Sequence, residues 1–372
     1  MYFIHCGNIS IYSLFYLFYS IFSILDHYLT SPEINIKEKN PDDNIKLSIT
    51  FIFIMFIAEF LTGLIGIGYM ALVKYSNKYE YNDMELILNR INIENQIILD
   101  NQIGQECYKK WLKLFFVCIF DSIATFTLIY DDNKDLQKFN LTNRSLLLIF
   151  VAFFSSFYLK YSLYRHHIFG LCIVMLGYLI NNIFVFTFEK DDFKYIVILI
   201  LIQLINAWRE IFEKDLIEIH FLSIYELLTI EGFMGFVLSF LIIIILKLFD
   251  VFDYSVWKIE IGIIILTIIS SGWFNIFRLK INQRYSPIHR CVGDNFVIFI
   301  IWIINLIKKI KTGSEIEMRN EVFIGIVFVF CIFGTLILTE MVSISLCNLD
   351  INTRKEQVKR ANKKLGYNDF TL

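Results

Sequence analysis

Arg290 and Asp294 are residues whose types and spacing suggest a binding site. Residues four apart lie on one face of an α-helix, so this guanidinium and this carboxylate can pair with each other. The pair stands at the start of an apolar segment that continues to Ile304. Charges at membrane depth are costly and persist mainly where they are paired and face a protein interior or a water-filled cavity. The stretch from Gln283 to Trp302 is therefore predicted to line a site.

Further ionisable residues fall inside long apolar segments. They are Glu59, Asp121, Arg144, Glu231 and Glu340. A guanidinium binds a phosphate or carboxylate through two parallel hydrogen bonds, so Arg144 and Arg290 are candidates for holding an anionic group. The acidic residues could hold these arginines, bind a cationic group, or carry a proton. A structural ion pair is the alternative interpretation for Arg290 with Asp294, and Glu340 is favoured as structural because it lies near the end of its segment.

The elements that must position these residues are predicted to be membrane-spanning helices. Of the 372 residues, 56% are hydrophobic, whereas soluble domains have ~45–50% apolar residues. The apolar runs are about 17–25 residues long, which matches the thickness of a bilayer. The sequence therefore predicts an all-α polytopic membrane protein. Ten spans are predicted, at residues 9–29, 49–73, 111–130, 145–163, 167–187, 193–208, 225–247, 259–277, 288–307 and 321–346.

The distribution of Lys and Arg among the loops predicts that both termini are cytosolic. Two glycosylation sequons, Asn140-Leu-Thr142 and Asn143-Arg-Ser145, then fall on the lumenal side. The longest connection, residues 74–108, is predicted to be a cytosolic loop, either a solvated linker or one carrying a short surface helix. Residues 350–372 are predicted to be a cytosolic polar tail.

Ten spans divide into two sets of five that share residue types. The second and seventh spans carry Glu59 and Glu231, and the third and eighth carry Asp121 and Asn275. The fourth and ninth spans each open with an arginine. A repeat with an odd number of spans inserts its second copy upside down, as in many secondary transporters. The predicted domains are a first five-helix repeat at 1–187 and a second at 188–349.

Several motifs in this order resemble those of a known family. The first are FIAEF around Glu59, CIFDSIAT with Asp121 and Thr125, and the arginine that opens the fourth span, Arg144. The later ones are EGFMG from Glu231, the Phe-Asn pair ending at Asn275, and a block made of Ser286, Arg290, Asp294 and Trp302. Together they resemble the nucleotide-sugar-transporter-like solute carriers of subfamily F, within the drug/metabolite transporter superfamily.

The resemblance implies a ten-helix fold of two inverted five-helix repeats with a central cavity. It also implies residence in an endomembrane such as the lysosome, vacuole or Golgi, and possible homodimer formation. Three positions depart from the family pattern. Leu141 stands where the family has Gln, Val297 where it has Arg, and Arg278 where it has Gly.

Two functions are consistent with these residues. The first is a secondary transporter of a small polar or charged organic solute, which works by alternating access with possible proton coupling. Its expected cavity residues are Glu59, Asp121, Thr125, Arg144, Glu231, Asn275, Arg290 and Asp294. The second is a membrane scaffold or complex subunit that retains the fold without transport, as the three departures suggest.

Other functional classes find little support in the sequence. No span offers a Ser/His/Asp arrangement or a metal-ligand cluster, and the adjacent His166 and His167 are the nearest approach to one. An enzyme, a metal site and a cofactor are therefore not expected. The net charge of −2 gives no indication of nucleic-acid binding, and the expected partners are the lipid bilayer and a small polar solute.

Overall fold

The structure, a computed structural model, is α-helical and has no strand in the residues that it describes, namely 9–30, 41–76, 96–130, 136–188, 193–248, 261–312, 318–340 and 342. The helices follow the order of the predicted spans. They are α1 (Ile9–Thr30), α2 (Pro41–Ser76), α3 (Gln96–Tyr130), α4 (Leu136–Phe157), α5 (Arg165–Phe188), α6 (Phe193–Glu218), α7 (Ile224–Leu248), α8 (Ile261–Arg284), α9 (Pro287–Thr312) and α10 (Met318–Leu338).

Six of these helices contain a stretch that is long and apolar enough to cross a bilayer. The stretches are Ile49–Val73, Arg165–Ile183, Ile224–Ile245, Ile261–Arg284, Pro287–Lys311 and Glu321–Leu338. The prediction of an all-α, multi-pass membrane protein is thereby confirmed. That all ten helices cross the membrane stays a prediction.

Several helix ends differ from the predicted spans. α2 begins at Pro41, inside the predicted lumenal loop, because proline is well suited to the first position of a helix. α3 begins at Gln96 and so includes the end of the predicted 74–108 loop. α4 ends at Phe157 rather than at residue 163, and α10 ends at Leu338. Residues 77–95 and the predicted tail 350–372 lie outside the described residues.

The sixth helix differs from its predicted span in a way that affects the candidate site. The predicted sixth span ends at residue 208, whereas α6 continues to Glu218. Ion pairs between residues four apart support the extension. Arg209 Nε lies 3.3 Å from Glu213 Oε1, and Lys214 Nζ lies 2.7 Å from Glu218 Oε1. These charged residues were wrongly assigned to a loop, because their partners, and not water, compensate their charges.

The chain forms two compact units. Unit 1 comprises Met1–Asp132 and Trp208–Ser286, and unit 2 comprises Asn133–Ala207 and Pro287–Leu372. In unit 1, α2 packs most extensively on α7, α1 packs on α8, α8 also contacts α2 and α7, and α3 contacts α7 and α2. In unit 2, α5 packs most extensively on α10, α4 contacts α9, α5 and α10, and α9 contacts α10.

Glycines allow the closest helix pair of unit 1 to approach. A Cβ atom on Gly63 of α2 would lie 2.7 Å from the backbone N of Thr229 on α7, and one on Gly232 of α7 would overlap the backbone of Phe60 on α2. Small residues at helix interfaces are typical of membrane proteins, where close backbone contact replaces the hydrophobic effect as the source of association. This crossing lies immediately beside Glu59 and Glu231.

Glycines also allow the closest helix pair of unit 2, α5 and α10, to approach. A Cβ atom on Gly170 of α5 would lie 2.7 Å from the carbonyl O of Gly334 on α10, and a Cβ atom on Gly334 would lie equally close to the carbonyl O of Gly170. Gly177 packs one side of α5 against Phe330 and Cys331 of α10. The two helices are thus in backbone contact along two turns.

Candidate functional site

A set of buried charged side chains lies within unit 1. It contains five carboxyl groups and two guanidinium groups, and each of the seven residues exposes 7% or less of its surface. Helices α2, α3, α6, α7 and α8 all contribute to it. We name these residues the charge cluster: Glu59, Asp121, Glu210, Glu213, Glu231, Arg209 and Arg278.

Arg278 of α8 connects three other helices of the charge cluster. Its Nη2 atom donates a hydrogen bond of 3.1 Å to Glu231 Oε2 on α7 and lies 3.3 Å from Glu213 Oε1 on α6. Its Nη1 atom lies 3.8 Å from Asp121 Oδ1 on α3. A single guanidinium therefore serves three carboxyl groups on three helices, as its five N–H donors permit.

Arg209 of α6 forms the second centre. It donates a hydrogen bond to Asp121 Oδ1, and its Nη2 and Nε atoms lie 3.3 Å from Glu210 Oε1 and from Glu213 Oε1, respectively. Asp121 and Glu213 are thus shared between both guanidiniums. Shared partners join six of the seven residues, all except Glu59, into one network rather than a set of separate pairs.

Glu59 of α2 differs from the other carboxyl groups of the cluster. It is 5% exposed, yet it forms no hydrogen bond or ion pair with any side chain that the structure describes, and its Oε2 atom is fully buried. The negative charges of Asp121 and Glu213 and the positive charges of Arg278 and Arg209 all act on it. A buried carboxylate needs a partner because the loss of hydration is costly. Glu59 is therefore the acid of the cluster that is most available to a ligand.

Polar contacts hold the end of α8 against α6 next to the charge cluster. Lys214 is fully buried, and its Nζ atom donates hydrogen bonds of 2.7, 3.0 and 3.3 Å to the carbonyl O atoms of Asn282, Gln283 and Tyr285. The last carbonyls of a helix lack hydrogen-bond donors within the helix, and Lys214 donates to three carbonyls at the end of α8. The side chain of Asn282 donates a hydrogen bond of 3.5 Å to Glu213 Oε2. These bonds fix the helix that carries Arg278.

An apolar core lies in the same part of unit 1 as these contacts. Buried residues of α3, α6, α7 and α8 and of the loop before α7 form one cluster: Leu114, Val117, Leu216, Ile217, Leu222, Ile224, Leu227, Leu228, Ile276 and Leu279. The packing of these side chains sets the rotation of the four helices. The rotation in turn directs Asp121, Glu213, Glu231 and Arg278 to the same interior.

The predicted site residues are divided between the two units. Glu59, Asp121 and Glu231 belong to the charge cluster. Thr125 is buried one turn beyond Asp121 on α3, and Asn275 is buried on α8, where its Nδ2 donates a hydrogen bond of 3.1 Å to the carbonyl O of Ser271.

The remaining predicted site residues belong to unit 2. Arg290 Nε lies 4.0 Å from Asp294 Oδ2, as the four-residue spacing predicts. The backbone of Arg144 lies in α4, and its side chain is outside the described residues. The assignment of all eight residues to a solute site stays a prediction.

Sequence reasoning missed four members of the charge cluster. Arg209, Glu210 and Glu213 were placed in a loop, although the spacing of Arg209 and Glu213 indicates a paired helical face. Arg278 was noted as a departure from a family motif, and its charge was not connected with Glu231. An arginine one turn beyond Asn275 in an apolar helix was the available signal.

A second polar cluster joins α5 to the end of α10 in unit 2. His166 Nε2 and His167 Nε2 lie 2.9 and 3.9 Å from Glu340 Oε1, so the three side chains bring potential metal ligands within 4.8 Å of one another. However, His167 Nδ1 accepts a hydrogen bond of 3.2 Å from the backbone N–H of Tyr164. The neutral ring then carries its proton on Nε2, and His167 would have to give up this bond to bind a metal. The contact instead resembles a capping box, in which the third helical residue accepts from the N-cap N–H.

No protein-family model matches this chain, and no curated protein is similar to its sequence at a significant level. The resemblance to nucleotide-sugar-transporter-like carriers therefore depends on the motifs alone.

Proposed function

We propose that this protein is a secondary transporter of a small polar or charged organic solute, working by alternating access. The observation that carries the proposal is the charge cluster, which places five carboxyl groups and two guanidiniums inside a unit whose helices α2, α7 and α8 each contain an apolar stretch long enough to cross a bilayer. Ionisable residues within membrane helices are rare, and they commonly mark substrate or ion pathways. The cluster is therefore the proposed solute site.

Helix packing supports the proposal that the fold consists of two inverted five-helix repeats. In such a fold, α2 is equivalent to α7 and α3 is equivalent to α8. The contact of α2 with α8 is then equivalent to that of α7 with α3, and the contact of α7 with α8 is equivalent to that of α2 with α3. All four contacts occur in unit 1. In unit 2, the contact of α4 with α5 likewise becomes that of α9 with α10. These equivalences are expected of a transporter with internal repeats, whereas the contact of α1 with α8 has no equivalent of similar extent between α6 and α3 in the described residues.

The shared ion pairs suggest how the site could change state. Asp121 and Glu213 each contact both guanidiniums, so a small shift of α6 or α8 can exchange one partner for the other without leaving a buried charge uncompensated. A bound solute would shift this equilibrium by contacting one arrangement better than the other. The network then acts as the element that couples solute binding to helix movement.

The remaining features of the proposal come from the family resemblance. We propose the drug/metabolite transporter fold, residence in an endomembrane, and possible homodimers. The cytosolic location of both termini is proposed separately, from the distribution of Lys and Arg among the loops. Possible proton coupling belongs to the same proposal, because the acids of the site can exchange protons when it opens to water. Arg144, Arg290 and Asp294, which belong to unit 2, are also proposed to bind solute.

A membrane scaffold or complex subunit is the second candidate. The observation that favours it is Arg278, which occupies a position where the resembling family has glycine. Its guanidinium fills the interior of unit 1 and links α8 to α3, α6 and α7. A network that only braces helices would look similar. The two candidates differ in whether solute crosses the membrane.

Uptake by proteoliposomes distinguishes the two functions. Purified protein is reconstituted and incubated with a mixture of small organic cations, anions and zwitterions, and the trapped solutes are identified by mass spectrometry. We expect at least one solute to accumulate above the level in protein-free vesicles and in vesicles with Glu231→Gln. Absence of uptake for every class, with protein that is folded and correctly inserted, would contradict transport and favour the scaffold.

The same vesicles test the predicted contribution of unit 2. A double variant with Arg290→Ala and Asp294→Ala is expected to lose most of the uptake. Uptake that the double variant leaves unchanged would count against these two residues as site residues, although it would leave the charge cluster as the site.

A further inference from the structure

The charge cluster carries more negative than positive groups. It contains three more carboxyl groups than guanidiniums, because Arg209 and Arg278 stand against five acids: Glu59, Asp121, Glu210, Glu213 and Glu231. The nearby basic residues are engaged elsewhere. Lys214 binds Glu218 and the end of α8, and Lys113 binds Asp215. Surplus carboxylates in a buried site are costly unless a proton or another cation balances them.

Most of the hydrogen-bonding capacity left in the cluster is acceptor capacity, although Arg209 Nε and Arg278 Nε are also buried without a hydrogen bond to the described residues. Asp121 Oδ2, Glu231 Oε1 and Glu59 Oε2 are buried oxygen atoms that accept no hydrogen bond from the described residues. Both guanidiniums are meanwhile bound to carboxyl groups. The site therefore offers a ligand more acceptors than donors. A protonated amine has N–H donors and no acceptor, so it is a suitable ligand for such a site.

We infer that the charge cluster binds a small organic cation that carries a protonated amine. The inference rests on the proposed function, in that it assigns a chemical class to the transported solute. Glu59 is the main anchor, because it is buried beside Asp121 and Glu213 and has no ion pair of its own among the described residues. Glu231 and Asp121 supply further acceptors. An anionic solute would meet the surplus negative charge of the same site, which disfavours it. This conclusion differs from the expectation that Arg144 and Arg290 hold an anionic group.

The test compares probes of equal size that differ in charge. Purified full-length protein in detergent is titrated with butylamine, butyramide or butyrate at neutral pH, and its thermal unfolding is followed by tryptophan fluorescence. A ligand that binds only the folded state stabilises it by RT ln(1 + [L]/Kd), so the unfolding midpoint rises with ligand concentration. We expect butylamine to raise the unfolding temperature and the neutral and anionic probes to leave it unchanged.

Three substitutions locate the binding site. Glu59→Gln and Glu231→Gln each remove a charge while keeping the shape, and each is expected to weaken butylamine binding by roughly 10- to 100-fold, as for other charge-assisted hydrogen bonds. The control is Asp26→Asn, which alters a different buried acid of unit 1 that is bonded to Ser271. It is expected to leave the butylamine affinity unchanged.

The outcomes separate this inference from the proposed function. Stabilisation by butyrate and not by butylamine would overturn the inference, and so would an affinity for butylamine that neither Gln variant changes. No stabilisation by butylamine in folded protein would also overturn it, since protons alone would then balance the cluster. Binding of butylamine without uptake of any solute would support the inference and contradict transport. Uptake restricted to anions would support transport and contradict the inference.

Discussion

Replacing Arg278 with methionine tests whether the charge cluster is a single buried network. The substitution removes the guanidinium that serves Glu231, Glu213 and Asp121, while keeping a long side chain in its place. Removal of one partner from a buried ion pair leaves an uncompensated charge and costs about 3–5 kcal/mol. We expect Arg278→Met to lower the free energy of unfolding by that amount.

A matched control uses an ion pair whose lysine side chain is much more exposed than Arg278. Lys309 Nζ lies 2.6 Å from Glu321 Oε1, and the lysine side chain is 41% exposed. Such pairs contribute about 0–1 kcal/mol, so Lys309→Met should have a small effect. Both variants are compared with the parent protein by equilibrium unfolding in mixed detergent micelles, followed by tryptophan fluorescence.

A second substitution identifies the cause of the loss. If surplus negative charge destabilises Arg278→Met, then adding Glu231→Gln should recover part of the loss, with a coupling energy of about 0.5–3 kcal/mol. The reasoning is refuted if Arg278→Met costs no more than Lys309→Met. It is also refuted if Glu231→Gln adds to the loss instead of reducing it.

Three further predictions concern helix ends and packing. Lys214→Met removes the donor to three carbonyls at the end of α8 and should cost about 1–3 kcal/mol of unfolding free energy. We also expect faster proteolysis near Tyr285. An unchanged rate of proteolysis would contradict the capping role. Gly63→Ala should destabilise by about 1–3 kcal/mol because its Cβ atom meets the backbone of α7. Gly68→Ala on the same helix meets no atom within 4 Å and should be neutral or stabilising, so equal effects would disprove the close crossing. His167→Ala should cost about 0.5–2 kcal/mol of unfolding free energy and His167→Gln less, because glutamine can replace the capping acceptor; equal losses would argue against the capping box.

The order of the helices could be predicted because long apolar runs favour helices, and six of the described helices contain a stretch long and apolar enough to cross a bilayer. The ends of the helices could not be predicted in the same way, because a charged residue marks the end of a span only where its side chain contacts water. Arg209 and Glu213 are charged but face each other and Arg278, so α6 continues through them. Hydropathy alone does not distinguish a helix end from a buried ion pair.

The candidate site was predictable in part for a related reason. An acid within an apolar run, such as Glu59 or Glu231, is visible in the sequence and indicates an interior site. The identity of its partner depends on helix rotation and crossing. Arg278 reaches Glu231 because α7 and α8 are in contact, which no local pattern specifies. The pairing of Arg290 with Asp294 was predictable because it lies within one helix.

The most direct test of the central claim is the initial rate of solute counterflow in proteoliposomes that contain the charge-cluster variants. The measurement uses whichever solute the uptake experiment identifies, with the amount of inserted protein matched between samples. Glu59→Gln and Glu231→Gln are predicted to reduce the rate at least tenfold, as expected for loss of about 1.4 kcal/mol or more of binding or transition-state stabilisation, whereas Asp26→Asn retains it. Equal counterflow rates in the parent protein and in all three variants would contradict the assignment of the charge cluster as the solute site.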